Sequence, residues 1–470
     1  MSKQRIHEHM ERMREELQAM ALDIWAHPEA GFREVHASRI QKEFLERLGA
    51  RIKSPIDMLD TAFVAEYGEG KPIIGILGEF DALPGLSQKA GVNYKEPLKE
   101  GARGHGCGHN LLGTGGVAAF AACMQTMKED HLPGTIRYYG CPAEESLSGK
   151  SFMARAGVFD DLDCCLSWHP SGEDGVGYSN NTAQTTMEFH FHGIEAHAAA
   201  NPHLGRSALD AVELMNVGCN YLREHIIPTA RVHYMITDGG KAVNIVPGEA
   251  SSLYAIRAPQ VDQMQDITER LIDIAKGAAL MTGTTMDYVM IGIYHNRLPN
   301  AALADLAFEN YQQAAPAPWT DEELAFADSM KDAYPEGTVE RVVKGYGIPM
   351  EQVKHNLLPH PVKMGNKEKV AGGSSDVGDV SWITPTLNMT GTCCPVMVNG
   401  HTWQGASCYG TTFAAKGMIR SGEVLAMTAY DLLTDHKDVI DAARQEWEHD
   451  KGGRSYTAIP ADMKPYFDKE

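Results

Sequence analysis

The chain has 470 residues and a mass of 51.4 kDa, which at roughly 150 residues per domain means two or three compact units and excludes a single small module. Hydrophobic residues make up 43% and charged residues 22%, an ordinary globular composition that excludes intrinsic disorder. With 42 basic against 62 acidic residues the formal net charge is -20, the wrong sign for phosphate backbones, so nucleic acid is excluded as a partner.

In chain order, Ile6, Met10, Met13, Leu17, Met20 and Ile24 have three-to-four spacing and predict a helix; Ile40, Phe44 and Leu48 predict a second, after the break at Pro28 and Gly31. Apolar runs at Thr61–Glu66, Ile73–Leu77, Gly134–Tyr139 and Asp163–Trp168 predict strands, with helices at Leu112–Met127 and Phe152–Ala156 between them. Strands alternating with helices imply an α/β domain with a mixed, largely parallel sheet. Near Asn180 the pattern changes. Residues 184–192 alternate strictly, as in a strand with one wet face, and they are followed by helices at Ser207–Glu224 and Val261–Met281 and strands at Arg231–Thr237 and Ala250–Ala258. This is the pattern of an inserted α+β domain. The expected division is a catalytic domain over 1–182 and 298–470, interrupted by the insertion at 183–297. In the last part come the Gly/Ser-rich loop 371–376 and a long helix over Thr412–Leu433, while 314–345 gives no clear pattern.

No run reaches about 18 uninterrupted apolar residues, so no membrane span is expected. The charged N-terminus has no apolar core followed by a small-residue cleavage site, so the expected location is the cytoplasm. Nine cysteines, including two adjacent pairs, do not form the even, spaced framework of a secreted scaffold and are expected to be reduced.

The chemistry concentrates in loops beside strands. Gly104-His105-Gly106-Cys107-Gly108-His109-Asn110 places a thiol and two imidazoles within five residues, a metal-ligand spacing suited to zinc and other divalent transition metals. Taken alone, it also fits a structured turn with hydrogen-bonded histidines. Glu144 and Glu145 follow an apolar strand, where one carboxylate can bind metal and the other take a proton from water. His169 and His401 occupy similar strand-end loops, so that Cys107, His109, Glu145, His169 and His401 can gather on one rim of a sheet. A dinucleotide loop at Gly106-Cys107-Gly108 lacks its third glycine and its preceding strand. A Cys107–His109 nucleophile pair is poorly placed for proton transfer, being two residues apart on a tight loop.

These motifs occur in one order. Gly78-Glu79-Phe80-Asp81-Ala82-Leu83-Pro84, the Cys107 segment, Pro142-Ala143-Glu144-Glu145, His169-Pro170, Glu195-Ala196-His197-Ala198-Ala199 and Asn244-Ile245-Val246-Pro247 resemble the aminoacylase and carboxypeptidase superfamily of two-metal hydrolases. The likeness is strongest to the cysteine-bridged branch that includes hippurate hydrolase and auxin-conjugate amidohydrolases. Within that branch, the segments 203–211, 319–325, 375–382 and 401–404 resemble the B-type chains of aminobenzoyl-glutamate hydrolases.

The resemblance implies a metallopeptidase-like amidohydrolase cleaving N-acyl or N-aroyl amino acids such as p-aminobenzoyl-glutamate, with β-alanyl-lysine-type dipeptides as the alternative. It implies two divalent ions, manganese or zinc first and cobalt or nickel next. Cys107 would bridge them, with His109 and His169 on one and Glu145 and His401 on the other. Glu144 would be the general base, kept ionised by the two cations, and Asp81 would orient a ligand histidine. His197 would stabilise the oxyanion, Asn244 and Arg257 would hold the substrate carboxylate, and Gly373 and Ser374 would contribute donors from their loop. The insertion would act as lid and dimerisation domain, in a homodimer or in a heterodimer with a related A-type subunit. One position departs from much of the superfamily: a histidine two residues before the Asp81 position is here Glu79.

Overall fold

The computed structural model describes residues 2–145 and 148–467. Its larger sheet joins β1 (Arg51–Lys53), β2 (Phe63–Glu69), β3 (Ile73–Glu79), β4 (Gly134–Cys141), β5 (Cys164–Ser171), β6 (Gly175–Gly177), β11 (Val362–Met364) and β12 (Thr386–Thr392) in the order β1-β2-β4-β3-β5-β12-β6-β11. The centre, β4-β3-β5-β12, is parallel, whereas β1, β2 and β6 pair antiparallel toward the edges. Continuous apolar composition suits these central strands, because both faces are covered. Ile74 and Ile76 face a core formed with the helices Ser2–Ala26, His109–Asp130 and Thr412–Leu433. Ile73 and Leu77, one residue out of phase, face a second core with Phe32, Phe152, Phe159 and the C-terminal Ile459 and Met463.

The smaller sheet contains β7 (Ala183–His192), β8 (Arg231–Asp238), β9 (Glu249–Ala258) and β10 (Thr285–Tyr294), antiparallel in the order β10-β7-β9-β8. Met187, Phe189 and Tyr254 pack beneath the helices Ala208–Leu222 and Val261–Thr282. The alternate residues Gln184, Thr186 and Glu188 are also buried, although their pattern predicted a wet face. They line a cleft of about 620 Å³ between the two sheets. β10 is half exposed and carries Asp287 among its apolar residues, which explains its weak strand signal. The undecoded 314–345 stretch contains the helices Asp321–Ser329, opened by a Thr320–Glu323 capping box, and Thr338–Gly345. All nine cysteines are free and buried. Among the described residues, no helix is long and apolar enough to cross a membrane.

Candidate metal centre

The parallel strands β3, β4, β5 and β12 end on one rim, where the open end of an α/β sheet collects ligands. Glu79 closes β3 and Asp81 follows it; Glu144 and Glu145 follow β4; His169 lies near the end of β5; His401 comes after β12. Cys107 and His109 enter from the start of the helix His109–Asp130. Gly108 makes that entry possible, since its φ is 82° and a Cβ would lie 2.7 Å from Pro170 Cγ. Ala143, at φ 55°, puts a left-handed step just before the carboxylate pair.

Two trios form around one thiol. Ligand atoms of Cys107, His109 and His169 lie within 4.8 Å of one another, and so do those of Cys107, Glu145 and His401. Cys107 Sγ is 3.3 Å from His169 Nε2, and His401 Nε2 is 3.4 Å from a Glu145 oxygen. Each buried imidazole is oriented from behind. His109 Nδ1 donates to Asp81 at 2.8 Å, and His169 Nδ1 donates to Pro170 O at 2.8 Å, so both Nε2 atoms turn inward. Asp81 also accepts from the Glu145 backbone N–H at 2.9 Å, tying the two loops together. His105 points elsewhere. It is buried with Nε2 3.1 Å from Ile24 O, so only one imidazole of the His-x-Cys-x-His spacing joins the cluster.

The electrostatics fit divalent cations. Burial, and after it the neighbouring Glu79, Glu145 and Asp376, push the Glu144 carboxyl well above its ordinary range. Burial also raises Glu145 to about 7, against the pull of His109, and it lowers His169 to about 4, keeping that imidazole neutral. Among the described residues, His109 Nε2 and Glu145 Oε1 are buried and make no hydrogen bond of good geometry. Unpaired buried donor atoms beside crowded carboxylates are what a bound cation satisfies, and a thiolate, imidazole and carboxylate set suits first-row divalent metals.

Sequence reasoning missed a neighbouring feature. Lys150 is fully buried, its ammonium 2.6 Å from both Glu79 and Asp376, and its backbone N–H donates to Asp376 at 2.8 Å. Glu79, at the departed position, brings its other oxygen to 3.3 Å from His109 Nε2. Burial opposes its ionisation, but Lys150 and His109 hold its carboxyl below the usual range. Asp376 belongs to the Gly/Ser-rich loop, so this ion pair links the centre to that loop.

Other sequence-predicted residues lie on the loop and the smaller sheet. Arg257 lines the cleft and donates to Gly372 O at 3.2 Å. Gly373 O accepts from the Thr182 N–H and hydroxyl, both at 3.1 Å, and the Ser374 hydroxyl lies 2.7 Å from that of Thr182. His197 and Asn244 are neighbours through the His197–Ile245 bridge. Both are exposed, and neither belongs to the cleft lining or to the metal trios.

A family model for Peptidase family M20/M25/M40 matches residues 75–374. The chain is 39% identical to the B-type chain of the p-aminobenzoyl-glutamate hydrolase of Escherichia coli (strain K12), over 95% of each chain. It is 29% identical to the Xaa-Arg dipeptidase of Mus musculus, covering 95% of this chain and 92% of that one. Its fold is similar to a dinuclear metal-binding M20 peptidase from Bacillus subtilis, with a TM-score of 0.55, 17% identity and coverage of 90% and 99%. It is also similar to an aminobenzoyl-glutamate utilization protein from Klebsiella pneumoniae, with a TM-score of 0.57, 17% identity and coverage of 88% and 98%. With both that family model and a relative of nearly its full length matching it, the chain belongs to the peptidase family M20/M25/M40 and is a hydrolase acting on amide bonds.

Proposed function

We propose that the protein hydrolyses the amide bond of N-acyl or N-aroyl amino acids, with p-aminobenzoyl-glutamate as the leading substrate. The observation that carries this reading is the placement of Glu144 beside two ligand trios that share Cys107. Cys107, His109 and His169 would hold one divalent ion, and Cys107, Glu145 and His401 a second, manganese or zinc being preferred. When bound, such ions polarise a carbonyl and make water a stronger acid.

Glu144 serves as the general base: it takes a proton from the attacking water and returns it to the leaving amine nitrogen, so the proton count closes over the turnover. Asp81 fixes the tautomer of His109. Arg257 offers a planar fork to the substrate carboxylate, aided by the Gly373–Ser374 loop and, from the same closed or partner-supplied position as its neighbour His197, by Asn244. His197 stabilises the oxyanion from a closed or partner-supplied position, since its place in the single chain is exposed. The segment 183–297 acts as the lid. The likeness to Xaa-Arg dipeptidases supports dipeptides as a second substrate class. That the 39% identical relative is one subunit of its hydrolase supports assembly with a related A-type chain.

The test is p-aminobenzoate release from p-aminobenzoyl-glutamate by the manganese-loaded chain, run beside Glu144→Ala. The variant is expected to keep its metal content and lose turnover by about 100-fold or more. Turnover retained in Glu144→Ala would overturn the mechanism.

A further inference from the structure

The cleft face of the smaller sheet is chemically graded. Gln184, Thr186 and Glu188 of β7 alternate onto it, opposite Arg257, Ala255 and Leu253 of β9. Arg257 pairs in register with Gln184, and Glu188 lies four residues further along β7, about 13 Å at ~3.3 Å per residue. Along this wall, therefore, a cationic side chain stands at one end and an anionic one at the other. Between and around them, Leu83, Pro84, Leu253, Ala255 and Ile291 give apolar lining.

Glu188 is held in place for recognition. It is 8% exposed, it accepts from the Thr237 hydroxyl at 2.7 Å, and its other oxygen is 3.4 Å from His190 Nε2. A carboxylate offers about four lone-pair sites, so these contacts leave it able to accept from a ligand. A carboxylate in a sheltered wall accepts, so it favours a ligand end that carries a hydrogen-bond donor such as an N–H.

Resting on the amidohydrolase reading, the geometry points to Glu188 as the residue that selects the acyl half of the substrate, by accepting a hydrogen bond from an amino group at its far end. An extended N-acyl amino acid with its carboxylate on Arg257 lays its acyl group along the apolar stretch toward Glu188. Two chemistries present the required donor there: an arylamine on a benzoyl ring, and the ammonium of an aminoacyl group. Both share an N–H at the end opposite the carboxylate. A plain benzoyl group has none.

Calorimetric titration of the manganese-loaded protein with p-aminobenzoyl-glutamate, β-alanyl-glutamate and benzoyl-glutamate tests this. The native protein is expected to favour at least one amino-bearing ligand over benzoyl-glutamate by about tenfold or more, the scale of one charge-assisted hydrogen bond. Glu188→Leu is expected to erase that preference. Glu188→Gln keeps an acceptor without the charge, so it retains part of an arylamine preference and loses an ammonium preference. Because Glu188→Gln preserves the Thr237 contact, it decides the matter if Glu188→Leu does not fold. A preference unchanged in both variants, no preference in the native protein, or no binding of any ligand at millimolar concentration overturns the assignment. Turnover followed in parallel separates the two readings: a ligand bound with the expected preference but never cleaved contradicts the reaction and leaves the role of Glu188 standing.

Discussion

At the scale of single residues, the least expected group is Lys150. Its ammonium lies between two buried carboxylates, Glu79 and Asp376, and the whole side chain is shut off from the surface. Burial works against its protonation, but Asp376 and Glu79 overcome this and hold its pKa well above the ordinary value. Removing one member of such a set leaves uncompensated buried charge, which costs more than the ion pairs themselves contribute. Lys150→Met is therefore expected to lower stability by about 3–5 kcal/mol, read as a fall in denaturant midpoint without a change of slope. Adding Glu79→Gln and Asp376→Asn is expected to restore part of it; no recovery would contradict an electrostatic origin. Nothing in the sequence marks Lys150, a single lysine in a short helix of a residue type that is almost always exposed. The candidate metal residues were legible for the opposite reason. Cys107 with His109 at a helix start, and Glu144 with Glu145 after an apolar strand, are each close in sequence, so local spacing marks each pair, and the fold brings the pairs together.

At the scale of elements, the central parallel strands were readable because both their faces are apolar, and the helices because their spacing is regular. β7 was readable as a strand, yet the surroundings of one face were not: its polar residues line the cleft, and only the assembled fold makes that wall. β7 also carries His192 beyond the cleft residues. Its Nδ1 is 2.6 Å from Glu249 of β9 and its Nε2 is 2.7 Å from Asp287 of β10, so one imidazole joins three neighbouring strands. The hydrogen bond to Asp287 comes first among the causes that raise its pKa above the ordinary 6.5. A raised histidine stabilises the folded state fully below the unfolded pKa, and that contribution fades as pH rises through the folded value. The stability of the native protein relative to His192→Gln is thus expected to be greatest below pH 6.5 and to decline above it. Denaturation midpoints of the two proteins across that range check this, and parallel pH curves would count against it. The group is largely exposed, so the effect is small.

At the scale of the whole molecule, the proposed ligands come from loops far apart in the chain, and Cys107 is the one residue common to both trios. A site of this kind does not exist in the unfolded chain, so a metal that binds it stabilises the whole fold by mass action. Each occupied site is expected to add about 2.7 kcal/mol at a free metal concentration a hundredfold above its dissociation constant. Thermal melting should then rise with manganese or zinc and return to the starting value with a chelator. The shared thiol makes the variants informative. His401→Ala removes a ligand from one trio and is expected to lose one equivalent of bound metal, with half of the thermal gain. Cys107→Ala removes a ligand from both and is expected to weaken both equivalents together. Elemental analysis after dialysis, paired with melting curves, measures each. If Cys107→Ala lost only one equivalent and bound the other normally, the thiol would belong to one ion alone, and the bridged two-ion arrangement would have to be abandoned.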